Sequence, residues 1–244
     1  TVSKMGAFQN WVDGSQDNLV WIDYTEYATK ILGRDQPWIS GPEVAGVLNQ
    51  GQALLKSEVI PIDAGRILLT GDAAKEEDPL ASLLTDLQDP TRIRLLEETL
   101  DALSHGAQAD LALQLPGLKK SLLKYGADED SASDFGNLDD LGAAFTDILR
   151  RLAEKPLDGL LLVLDEPCSE DEFDALGPVT AAAAHYGWLV ASELSTNTDG
   201  VTIEHPVGEL ILMPQAIEPV DGIQRLGGGL SDEFWSGEKG AGEF

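Results

Sequence analysis

Two adjacent carboxylates, Asp165 and Glu166, directly follow the apolar run Leu160–Leu164. At the end of a buried strand, one of such a pair can be desolvated and act as an acid while the other stays ionised. The plainer reading is a loop start with both carboxylates in water. Neighbouring strand residues point to opposite faces, so one of the two faces inward unless the turn begins between them. Pro167 holds Glu166 extended and favours that residue. Asp63, Gln114, Cys168 and Glu193 also stand at or just past predicted strand ends. Parallel strands closed into a barrel all end on one side, so groups far apart in sequence converge there. Carboxylates held together cannot all ionise cheaply. One takes a raised pKa, or a divalent cation bound through oxygen neutralises the group. The expected catalytic set is therefore Asp165, Glu166, Asp63 and Glu193, with no cofactor indicated.

Other reactive side chains carry weaker signals. Cys168 precedes a helix start, where the dipole lowers a thiol pKa; an inert structural thiol is the alternative. His105, His185 and His205 share no metal-ligand spacing with Cys168, so no zinc site is expected. His185, beside Tyr186, suits packing, His205 a turn before Pro206, and His105 a helix C-terminus. Gly227–Gly229 lacks the strand-before, helix-after setting of a phosphate loop.

The elements that must position these groups alternate along the chain. Trp21–Tyr24 reads as a short strand and 42–56 as a helix, with Val44, Val47, Leu48, Leu54 and Leu55 at near-helical spacing. Val59–Ile62 and Ile67–Thr70 read as a strand pair or bent strand, followed by an acidic loop ending near Pro79. Asp89-Pro90 opens a helix with Ile93, Leu96, Leu100 and Leu103 on one face. Leu111–Leu115 reads as a strand, 118–125 as a helix and 128–136 as a mobile acidic loop. A long helix over 138–154 carries Leu138, Leu141, Phe145, Ile148, Leu149 and Leu152, with Asn137 as its cap. Leu160–Leu164 is apolar on both faces, as in a central parallel strand. Ser169-Glu170-Asp171-Glu172 forms a capping box, in which the glutamate reaches back. The helix behind it is expected to kink or split at Gly177-Pro178. Strands over 188–193, 202–204 and 209–213 follow. The alternation demands a mainly parallel sheet. Eight candidate strands suit a (β/α)8-type barrel, with an open doubly wound sheet as the alternative. The chain reads as one domain over 1–244, with 1–40 as an N-terminal cover or lid and 227–244 as a Gly-rich tail.

Composition narrows the functions. The 244 residues carry 43 acidic and 16 basic side chains, a formal charge of −27. Such a surface repels nucleic-acid phosphates and anionic headgroups, so neither nucleic acid nor membrane is an expected partner. No apolar run approaches the roughly 18 residues of a membrane helix. One cysteine precludes an internal disulfide, and no signal segment is visible; both fit a cytoplasmic location.

Residues 137–193 read NLDDLGAAFTDILRRLAEKPLDGLLLVLDEP and CSEDEFDALGPVTAAAAHYGWLVASE. This order of long helix, "DGLLL" strand, acidic turn, helix and "YGWLVA" strand resembles barrels of the uroporphyrinogen decarboxylase and cobalamin-independent methionine synthase superfamily. Residues 38–62, WISGPEVAGVLNQGQALLKSEVIPI, are similar to an earlier helix–strand unit of those proteins. The resemblance implies a barrel and C–C lyase or one-carbon (methyl) transfer chemistry on a small organic substrate. The family's N-terminal arginine motif and its zinc ligands have no counterpart here: residues 1–40 contain only Arg34. No family catalytic residue carries over. Two functions follow: a small-molecule barrel enzyme, or a non-catalytic homologue that docks a protein partner as a binding or regulatory subunit.

Overall fold

The structure is a computed structural model; it describes residues 6–13, 15, 21, 40–71, 78–164, 166–194, 205, 207, 208, 210–213 and 224–227. The expected strand over 202–204, Tyr24 and the tail beyond 227 lie outside these. Six parallel strands form one sheet: β1 (Val59–Asp63), β2 (Asp110–Pro116), β3 (Gly159–Leu164), β4 (Leu189–Leu194), β5 (Leu210–Met213) and β6 (Gln224–Gly227). They lie side by side in chain order, every neighbouring pair parallel. Trp21 makes a parallel bridge to Val59, on the far side of β1 from β2.

The helices between the strands start as their sequences dictate. They are α2 (Gly41–Leu55), α3 (Ala64–Leu68), α4 (Pro79–Leu87), α5 (Pro90–Ser104), α6 (Leu118–Lys124), α7 (Glu129–Ala132), α8 (Phe135–Arg151) and α9 (Glu170–His185). Asp78 and Asp89 cap α4 and α5 through their carboxylates, each followed by a proline at the first helical position. The expected apolar stripes of α5 and α8 are buried throughout.

Strand alternation sorts the core into two faces. Ile60, Ile62, Leu111, Leu113, Leu115, Leu160, Leu162, Leu164 and Val190 pack with the long helices. Val59, Ala112, Leu161, Leu189 and Ala191 form the second face, covered by Phe8 of α1 (Ala7–Val12), with Trp11 and Trp21 against it. The described part of 1–40 thus covers one end of that face. β3 is central, flanked by β2 and β4, as its two-sided apolar run predicts. A doubly wound sheet reverses its strand order and carries helices on both faces. The described strands show no such reversal, and the long helices lie on one face with the short α1 on the other.

Four local expectations are corrected. Ile67–Thr70 is not a strand: Asp63 accepts the Arg66 N–H at 2.9 Å and starts the helical turn α3 there. The 128–136 segment contains the helix α7, capped by Asp128. Asp134, not Asn137, caps α8, accepting the Asn137 N–H at 3.1 Å. α9 runs unbroken through Pro178. Proline there removes a bond to the Asp174 carbonyl, and both residues are exposed, so the loss falls on the solvent side of the helix.

Candidate functional site

The strand ends gather polar groups on the second face. Asp63 shares its side of β1 with Val59, Gln114 its side of β2 with Ala112, and Glu193 its side of β4 with Leu189 and Ala191. Asp63 and Gln114 are direct partners across β1 and β2. Glu193 stands opposite Val163, which in turn faces Pro116. All three polar side chains are half-buried, above a fully buried apolar floor. Three of the predicted strand-end groups are therefore brought to one face. Among the described residues of β3, the side chains on this face are Leu161 and Val163.

Asp165 lies outside the described residues. Glu166 is turned elsewhere: its Oε1 accepts from Lys119 Nζ at 2.9 Å, and Glu129 lies 3.1 Å from the same ammonium. The two carboxylates raise the Lys119 pKa. These residues, with Gly117, Lys120, Leu123, Leu164 and Glu172, line a cleft of about 240 Å³. The buried Glu172 accepts the Lys119 backbone N–H at 3.0 Å. The capping box is thus only half made. Ser169 Oγ accepts the Glu172 N–H at 3.2 Å, but the Glu172 carboxylate reaches across to the start of α6 instead of back. Burial raises its pKa, against donors that favour the charge.

Cys168 is buried beside Glu172, and burial together with that carboxylate pushes its pKa up. The helix dipole does not activate it; the thiol behaves as an inert core group. His185 packs edge-on against Tyr186, and His205 stacks near Phe173. His105 Nδ1 lies 2.7 Å from the Asp101 carbonyl at the C-terminus of α5. Among the described residues, no group of three or more His, Cys, Asp or Glu side chains is placed to hold a metal ion.

Sequence reasoning missed Arg66, which with Lys124 stands near the end of β1. Arg66 Nε lies 3.3 Å from Asp63 Oδ2. Lys124 Nζ donates to the Leu69 carbonyl at 2.8 Å, and its pKa is lowered by burial, with Arg66 adding and Asp63 and Asp86 opposing. The i, i+3 spacing of Asp63 and Arg66 was the available signal. Lys124 stands out in the sequence as one of a local basic cluster with Lys119 and Lys120, which could hold an anionic ligand but more often marks an outer helix face.

A scan of protein families finds none that matches the chain, and no curated protein matches it. Among solved structures it is similar to the apo form of an endo-β-N-acetylglucosaminidase from Cordyceps militaris. That match has 14% identity and a TM-score of 0.34, over 75% of this chain and 71% of the other. A likeness so distant carries nothing about chemistry. Among the described residues, no helix is long and apolar enough to cross a membrane.

Proposed function

We propose that the chain is a (β/α)8-type barrel that binds a small organic molecule where its strands end, and works on it by acid–base chemistry. The barrel reading is supported by the sequential parallel order, extended before β1 by the Trp21 bridge. It is also supported by the one-sided placement of the long helices. A parallel sheet must bury both faces, and closing on itself buries the second one.

The observation that carries the site is the convergence of Asp63, Gln114 and Glu193 on one face, above the floor of Val59, Ala112, Leu161 and Ala191. A few polar groups over an apolar base is the usual composition of a small-molecule pocket. Asp63 and Glu193 would supply the acid and base, and Gln114 an orienting amide. Asp165, which follows Leu164 in the sequence, belongs to the proposed set on its sequence position alone. C–C lyase or one-carbon transfer remains the reaction class that the sequence resemblance suggests, and it rests on residue pattern alone.

A second reading has its own support. Among the described residues, the side chains that the central strand places on this face are the apolar Leu161 and Val163, and Glu166 is committed to Lys119. A non-catalytic barrel that docks a protein partner would need no more. The test is a small-molecule fragment titration of the ¹⁵N-labelled chain. Joint shifts of the amides of residues 62, 63, 114, 115 and 191–193 support the ligand site. Shifts confined to outer helix faces, or none at all, favour the partner protein.

A further inference from the structure

We propose that Arg66 is an oxyanion receptor at this mouth, its outer guanidinium edge taking the carboxylate or phosphate of a small ligand. The inference rests on the ligand-site reading above and adds the ligand's class. Arg66 is placed by its neighbours. A Cβ added at Gly65 would fall 2.8 Å from Pro116 Cδ and 3.2 Å from Asp63 Oδ1. The absence of a side chain there lets α3 seat directly on the end of β2. Asp63 then holds Arg66 twice, accepting its backbone N–H through Oδ1 and facing Nε through Oδ2.

With Nε so engaged, the two terminal Nη groups make no hydrogen bond to the described residues, and the side chain is 40% exposed. Arg92, by contrast, is spent internally on Asp86 and the Leu68 carbonyl. Arg94 and Arg150 pair with acids on their own helices, and Arg151 with Glu97 of α5. The Nη edge of a guanidinium offers parallel N–H donors that match two oxygens of a carboxylate or phosphate. Lys124 sets a second cation close to Arg66 and Asp63. On a chain of net charge −27, an anion is repelled over most of the surface. A cationic pair at this strand end offers it a favoured place.

The experiment titrates inorganic phosphate, and separately malonate, into the ¹⁵N-labelled full chain at low salt. The readouts are the Arg66 Nε–H and the amides of residues 62–66. Saturable shifts with either anion are expected, weakened at least about tenfold in Arg66→Gln and by less than about twofold in Arg94→Gln. Binding of phosphate alone assigns a phosphate ester, and of malonate alone a carboxylate; each upholds the proposal. If Arg66→Gln does not fold, Arg66→Lys, which keeps the charge but loses the fork, is judged by the same tenfold criterion. Binding of neither anion, or equal binding by the variant, overturns it. In that case, strand-end shifts with uncharged fragments would leave the ligand site standing, and their absence would remove both.

Discussion

Phe8→Ala should destabilise the fold by about 3 kcal/mol. Phe8 is 2% exposed and packs edge-on against Trp21, ring centroids 5.0 Å apart. It covers Val59, Ala112, Leu161 and Ala191 on the second face. A buried aromatic removes roughly 200 Å² from water. At about 25 cal/mol per Å² that is near 5 kcal/mol, of which the remaining methyl keeps about 1. α1 has only six residues and can relax into part of the gap, which lowers the cost further. The Phe8 N–H still donates to Asp110 Oδ2 at 2.7 Å, so the backbone anchor survives. Urea unfolding followed by circular dichroism and tryptophan fluorescence measures the effect. With a slope of about 3 kcal/mol/M, the midpoint should fall by about 1 M. A loss under about 1 kcal/mol would show that α1 is an ornament on the second face, not its cover.

Gly142→Ala should cost about 2 kcal/mol or more, because its Cβ would fall 2.3 Å from the Ala175 carbonyl and force α8 and α9 apart; thermal unfolding reads this. Tyr125→Phe removes the hydroxyl that donates to Asp86 and accepts the Gly71 N–H, and should cost about 1–2 kcal/mol in the same assay. Glu172 has a folded pKa above its ordinary value of 4.5, so the folded state holds its proton more tightly than the unfolded chain. Its stabilising share is therefore present below pH 4.5 and is lost as pH rises through the folded value. Glu172→Gln should flatten that fall in unfolding curves taken across this window, and an unchanged slope would contradict the assignment. No shift of duplex or single-stranded DNA should occur on a gel at about 150 mM salt.

Much of the architecture was legible because periodicity is a local property. The stripe from Leu138 to Leu152 could bury only as a helix, and Leu160–Leu164 only as a two-sided strand. The strand-end positions of Asp63, Gln114 and Glu193 followed from period-two alternation. α4 was missed although Asp78-Pro79 repeats the start signal of Asp89-Pro90. α3 was misread because Ile67, Leu68 and Leu69 carry strand-like hydrophobicity, and a single capping carboxylate decided otherwise. The fate of Glu166 and Glu172 was not legible. Their partner Lys119 lies 47 and 53 residues away, and only the packing of α6 against β3 and α9 brings it near.

The strand-end site is tested most directly by its own carboxylates. Asp63→Asn keeps the helix cap, since asparagine caps as well as aspartate; it takes away the charged partner of Arg66 Nε and removes the charge. Glu193→Gln removes the charge at β4. For a fragment that shifts the amides of residues 62, 63, 114, 115 and 191–193, calorimetry on these two variants should show binding weakened at least about tenfold. Unchanged affinity in both, with unfolding midpoints like the parent's, would contradict the site and leave the protein-docking reading in its place.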